Sequence, residues 1–190
     1  LPQVVADAAA AYGGRLAITD GALKLSYAEL DAARLRSARA FLAAGLGKGD
    51  RIAIWAPNMY QWIVAAIGAQ SVGGVLVPLN TRLKGAEAAY ILNASGARLL
   101  FTVDDFLGVN YPELLRDQAL PALEQLVLLS GDAPGALAWD AFLAAGDAVP
   151  VAEVAQRASA LTPDDALDIL FTSGTTGKPK GVITCHGQNI

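Results

Sequence analysis

Leu167-Asp168-Ile169-Leu170-Phe171, followed directly by Thr172-Ser173-Gly174-Thr175-Thr176-Gly177-Lys178-Pro179-Lys180-Gly181, is the stretch on which the reading of this chain turns. The first part is a short apolar run of the kind found in buried strands. In the second part, Gly174, Gly177 and Gly181 tolerate positive φ and let the backbone approach a ligand closely. Ser173, Thr175 and Thr176 add short hydroxyl donors, and Lys178 and Lys180 add positive charge. These are parts for holding phosphate. A nucleotide or pyrophosphate is the expected ligand, provided that the stretch leaves a strand that supports it.

Two commoner phosphate signatures do not fit. A Walker A loop needs Gly-Lys followed by Ser or Thr, whereas Gly177-Lys178 is followed by Pro179. A dinucleotide fingerprint needs Gly-x-Gly-x-x-Gly, and the glycines at 174, 177 and 181 have a different spacing.

At every position, Thr172 to Gly181 resembles the signature loop of the adenylate-forming (AMP-binding) enzymes, which reads Thr-Ser-Gly-Thr/Ser-Thr-Gly-x-Pro-Lys-Gly. That superfamily includes acyl-CoA and aryl-CoA synthetases and the adenylation domains of nonribosomal peptide synthetases. The resemblance implies that Thr172, Ser173, Gly174, Thr175, Thr176, Gly177, Lys178 and Lys180 bind ATP and its departing pyrophosphate. It assigns no catalytic residue and no metal ligand to this chain. With little apolar surface to anchor it, the loop is expected to be mobile without nucleotide.

The rest of the composition is compatible. A hydrophobic share of 54% over 190 residues excludes a disordered chain. A net charge of −4 argues against a broad nucleic-acid-binding surface. The single cysteine, Cys185, has no internal disulfide partner and no metal-binding neighbours, which fits a reducing compartment; cytoplasm is the expected location. Leu1 to Gly14 lacks the pattern of a signal peptide, and a start other than Met suggests that N-terminal sequence is missing. Residues 52–81 carry no charged side chain, but Pro57, Asn58, Gln61, Gln70, Ser71, Gly73-Gly74 and Pro78 break the run. A buried strand, helix and strand explain it better than a membrane span.

Working along the chain, Arg15 to Asp20 and Ala22 to Leu25 read as a hairpin around Asp20-Gly21. Ser26 and Glu29 form a capping box for a helix whose apolar face holds Tyr27, Leu30, Ala33, Ser37 and Phe41, with Asp31, Arg34 and Arg39 off it. Ile52 to Ala56 is a buried strand. Asn58 is expected to cap a helix from Met59 to about Val72, which Gly73-Gly74 ends before the strand Val75 to Leu79. A helix from Gly85 to Ser95, a strand Arg98 to Val103, a helix Tyr111 to Gln118 and a strand Glu124 to Leu129 follow. Ser130 to Pro150 reads as irregular, with a helical patch at Trp139 to Ala145.

Thr162-Pro163-Asp164-Asp165 reads as a capped turn, and Asp164, Asp165 and Asp168 as capping or solvated carboxylates rather than a metal cluster. His186 is read as a capping or packing residue, and Cys185 as a small residue ending a strand. The alternation predicts an α/β fold: a doubly wound, mostly parallel sheet with helices on both faces. Ligands bind such sheets beyond the C-terminal ends of the strands, where the loop would lie.

Other segments are similar to the same superfamily: Leu25 to Leu30, Gly47 to Ile54, and Gly73 to Asn80. The resemblance makes residues 1–190 the first part of the large N-terminal domain of an adenylate-forming enzyme. The adenine-binding segment, the Mg²⁺-associated Glu, the ribose-binding Asp and the mobile C-terminal domain with its catalytic Lys would lie after Ile190, so the chain alone is expected to be incompetent. It further implies ATP, Mg²⁺ and coenzyme A as cofactors or co-substrates and a small-molecule carboxylic acid as substrate. Val77 to Lys84 looks closer to the acyl-CoA synthetase branch. Phe106-Leu107-Gly108 and Cys185 to Asn189 are similar to synthetases for fatty or steroid-derived acids. Two alternatives stay open: an amino-acid-activating adenylation domain, and a noncatalytic nucleotide-binding module. A homo-oligomer is compatible with the sequence, which does not specify one.

Overall fold

The computed structural model describes residues 1–172 and 177–189. The loop expected to be mobile runs from Thr172 to Gly181, and its residues 173–176 lie outside the described residues. The chain opens with α1 (Pro2–Tyr12), the hairpin β1 (Leu16–Asp20) and β2 (Leu23–Ser26), and α2 (Tyr27–Ala43). Then come β3 (Arg51–Trp55), α3 (Tyr60–Ser71), β4 (Val75–Pro78), α4 (Gly85–Ser95) and β5 (Leu99–Val103). A two-stranded hairpin, β6 (Asp105–Phe106) and β7 (Val109–Asn110), precedes α5 (Tyr111–Leu115) and β8 (Gln125–Ser130). The chain continues through β9 (Leu137–Ala138), α6 (Trp139–Ala145), α7 (Val151–Ser159), β10 (Ala166–Thr172) and β11 (Lys180–Cys185).

Among the described residues, the main sheet has the order β11-β10-β4-β3-β5-β8-β9, parallel throughout except for the antiparallel pair β10 and β11. Its central strands explain themselves: Ile52 to Trp55 and Leu99 to Val103 are wholly buried, as continuous apolar runs covered on both faces must be. From β3 the chain steps left to β4, then right to β5. With right-handed crossovers, this reversal sends α3 and α4 to opposite faces of the sheet.

One face holds an aromatic cluster of Phe41, Phe101, Phe142 and Trp139, with centroids of the three phenylalanines 5.1–5.2 Å apart. On the other face, Trp55 packs on Tyr111 at 4.4 Å. The expected α/β class and mostly parallel sheet are therefore observed.

The expected caps are partly right. At α2, the Ser26 N–H donates to Glu29 Oε2 (2.7 Å) while Ser26 Oγ accepts from the Glu29 N–H (3.3 Å), a closed capping box. At α3, Asn58 does not cap; Tyr60 N–H donates to Asp20 Oδ2 (2.9 Å), so the β1–β2 hairpin supplies the carboxylate from outside. Arg34, expected off the buried face of α2, is only 5% exposed. Asp31 compensates its charge at 2.7 Å, and its Nη1 donates to Ser71 Oγ on α3 at 3.0 Å. The helix expected from Tyr111 stops at Leu115 rather than Gln118, and α1, α7 and the β6–β7 hairpin were not anticipated.

Candidate functional site

β10 lies parallel to β4 through Asp168 and Leu76, so its C-terminal end falls on the edge where the other parallel strands end. Thr172 closes β10 directly opposite Lys180, the first residue of β11, and the loop from 173 to 179 spans the gap. The strand-supported exit that phosphate binding requires is thus present. Of the expected site residues, Thr172, Gly177, Lys178 and Lys180 are described, and all four are exposed. Ser173, Gly174, Thr175 and Thr176 lie outside the described residues.

Two glycines of the stretch serve different purposes. Gly177 has φ 116°, a conformation L side chains avoid, and among the described residues nothing lies within 4 Å of a Cβ built there. Gly181 instead permits close packing: a Cβ there would stand 2.8 Å from Ile169 Cγ2 and 3.2 Å from Phe171 Cζ. The Phe171 side chain, partly buried against the core, lies across it.

The exit of the loop is held by α4. Tyr90 Oη donates to the Pro179 carbonyl at 3.2 Å, and Lys178 Nζ stands 5.4 Å from the centroid of the Tyr90 ring. Among the described residues, the ion pairs engage neither Lys178 nor Lys180. On the same edge of the sheet, the segment after β4 is fastened by two aromatic side chains. Trp55 Nε1 donates to the Asn80 carbonyl and Tyr111 Oη to the Thr81 carbonyl, each at 3.0 Å. Burial pushes the Tyr111 hydroxyl above its ordinary pKa, which keeps it a donor.

Asp165 and Asp168 make structural contacts. Asp165 accepts from the Thr162 N–H and pairs with Lys48 Nζ at 2.8 Å, and these contacts hold its carboxyl below the usual range. Asp168 accepts from Thr184 Oγ1 at 2.7 Å across the ladder. Thr162 therefore starts a turn closed by Asp165, as expected. His186 begins a single 3-10 turn after β11 and is 3% exposed. Burial lowers its pKa, and its Nε2 has no partner among the described residues. Cys185 ends β11 as expected.

Sequence reading missed Tyr90, Trp55 and Tyr111 as supports of this edge. Each looks like an ordinary core aromatic in its own element, and nothing local in sequence points across 89 residues from Tyr90 to Pro179.

A strand-borne Gly, Thr and Lys loop at the C-terminal edge of a doubly wound sheet defines a candidate phosphate-binding α/β domain. The chain belongs to the AMP-binding enzyme family, whose profile matches residues 5–190. It is 38% identical over 195 residues to a CoA ligase of Rhodococcus jostii strain RHA1, named for a (methyl-dioxo-octahydroindenyl)propanoyl group, covering 100% of this chain and 38% of that protein. A Mycobacterium tuberculosis ligase of the same name is 44% identical over 162 residues, covering 85% of this chain and 32% of its own length. Among solved structures, a Mycobacterium tuberculosis fatty acyl CoA synthetase superposes with TM-score 0.79 at 26% identity, over 97% of this chain and 34% of the other. The chain thus spans about a third of the length of each of these proteins. Among the described residues, no helix is long and apolar enough to cross a membrane.

Proposed function

We propose that this chain is the phosphate-gripping part of an acid–thiol ligase that activates a carboxylic acid with ATP and passes the acyl group to coenzyme A. In the first step a carboxylate oxygen attacks the α-phosphorus; the new O–P bond forms as the bond to the β-phosphate oxygen breaks, and pyrophosphate leaves. In the second, the sulfur of coenzyme A attacks the acyl carbon and AMP departs. Residues of the Thr172 to Lys180 loop act on the leaving group: backbone N–H groups and hydroxyls of Ser173, Thr175 and Thr176 donate to it, and Lys178 and Lys180 offset its charge. This is stabilisation of departing charge, with no nucleophile supplied by the chain.

The observation that carries the reading is the position of the loop, closed by Thr172 and Lys180 at the strand-end edge of the sheet with both lysines turned to solvent. The names of the relatives support it and direct the substrate search to carboxylic acids carried on fused alicyclic rings. Mg²⁺ is implied by the family, but no group of three His, Cys, Asp or Glu suited to a metal ion exists among the described residues. Residues 1–190 then form the first part of an adenylation domain whose adenine, ribose and catalytic-lysine contacts lie elsewhere in the protein.

The test is to incubate the full-length protein with ATP, coenzyme A and a panel of alicyclic, fatty and amino acids, and to follow AMP and thioester by mass spectrometry. AMP and acyl-CoA formed in equal amounts with an alicyclic or fatty acid support the assignment. AMP formation with amino acids alone, or none with any acid, overturns it.

A further inference from the structure

We infer that Tyr90 is a positioning residue for the phosphate loop, acting through Lys178 and Pro179; the inference rests on the function proposed above. Lysine is a flexible point charge with three rotatable donors, and an exposed one is poorly placed for a phosphate unless something restricts it. Here the ammonium of Lys178 stands over the face of Tyr90 at 5.4 Å, within cation–π range. The residue after it is fixed as well, because the Tyr90 hydroxyl donates to the Pro179 carbonyl at 3.2 Å. One side chain therefore restrains both the charge and the backbone of the loop exit.

Tyr90 is suited to this because its own position is rigid. Its ring packs partly buried against the hydrophobic core. The helix that carries it is tied at both ends. At the start of α4, the Lys84 N–H donates to Glu87 Oε2 at 2.8 Å. At its end, Gly96 adopts the left-handed conformation at φ 63°, and Arg51 Nε donates to the Ser95 carbonyl at 2.7 Å. A restrained Lys178 loses less conformational freedom when phosphate binds, so the gain appears as nucleotide affinity.

The experiment is a double-mutant cycle in the full-length protein, with Tyr90→Phe, Tyr90→Leu, Lys178→Met and the Tyr90→Leu/Lys178→Met pair. MgATP affinity is read by calorimetry and KM for ATP by pyrophosphate exchange. Tyr90→Leu is expected to weaken MgATP binding and raise its KM on the order of fivefold to fiftyfold, with KM for the acid unchanged. Tyr90→Phe, which keeps the ring and loses the Pro179 bond, should fall between. The Leu change should cost clearly less in the Lys178→Met background, because the cation is already gone.

Unchanged MgATP affinity in a folded Tyr90→Leu protein, equal losses for ATP and acid, or full additivity with Lys178→Met would each overturn the positioning role alone. If Leu prevents folding, the Phe variant decides by the same readings. A wild-type protein that binds no MgATP overturns this role and the proposed function together.

Discussion

Thr172 and Lys180 face each other across the last rung of the β10–β11 ladder, so the loop proposed to hold phosphate begins and ends on two paired strands. The ladder below them carries Asp168 bonded to Thr184 and Phe171 packed across Gly181.

The first prediction concerns Gly177. Among the described residues, nothing lies within 4 Å of a Cβ built there, so the effect expected of Gly177→Ala comes through its φ of 116°. Holding an L residue in that region costs about 1–3 kcal/mol. Because the loop is exposed, it should relax instead of destabilising the domain. Nucleotide exchange is expected to show a raised KM for ATP, with a melting temperature within about 2 °C of wild type. A large drop in melting temperature with normal ATP kinetics would contradict this.

The crossing of α2 and α3 supplies the second. A Cβ on Gly68 would lie 2.6 Å from Ser37 Cβ and 3.2 Å from the Ala38 backbone nitrogen, while Ser37 Oγ is buried without a hydrogen-bond partner among the described residues. Gly68→Ala should destabilise by about 1–3 kcal/mol through overpacking. Ser37→Ala, by deleting the buried unpaired hydroxyl, should be neutral or stabilising by up to about 1 kcal/mol, and it should recover part of the Gly68→Ala loss. Urea titration of the two variants and their combination checks all three.

Third, Leu107 sits at φ 55° with 86% of its surface exposed, at the tip of the β6–β7 hairpin beside Gly108 at φ 77°. Two positive φ values in a two-residue turn suit Asn-Gly far better than Leu-Gly. Leu107→Asn is expected to stabilise by about 0.5–1 kcal/mol, seen as a melting temperature higher by about 1–4 °C. A lower melting temperature would show that Leu107 makes a contact that the hairpin alone does not reveal.

The fourth uses His186. Burial lowers its pKa below the ordinary 6.5, so the folded state disfavours the proton that the unfolded chain accepts. Its contribution to stability is therefore complete above about pH 6.5 and is lost progressively as pH falls below that value toward the folded pKa. Asp165, held low by Lys48, contributes in a separate window, because its stabilisation fades only near and below ordinary carboxylate values. Melting temperature should fall more steeply between pH 7 and pH 5 in wild type than in His186→Gln. Parallel curves would count against a buried neutral imidazole.

Much of the fold is legible in the sequence because its determinants are local. Runs such as Ile52 to Trp55 and Leu99 to Val103 are too apolar for anything but a covered strand, and Ser26 with Glu29 announces a helix start. What could not be read depends on distant partners. Asn58 looks like a helix cap, yet Asp20 reaches that helix from another element. Arg34 looks solvated, yet Asp31 and Ser71 compensate it inside. The same holds for the site. The loop is visible in Thr172 to Gly181 itself, whereas its support by Tyr90 exists only once α4 is packed against the loop exit.

On the proposed function, this loop grips the pyrophosphate end of ATP during carboxylate activation. Its most direct test is acid-dependent exchange of labelled pyrophosphate into ATP by the full-length protein, wild type against a Lys178→Met/Lys180→Met double variant. Wild type should exchange label only when an accepted acid is present, and the double variant should lose at least about tenfold in kcat/KM for ATP with its fold intact. Equal exchange by the two proteins, or exchange independent of any acid, would contradict it.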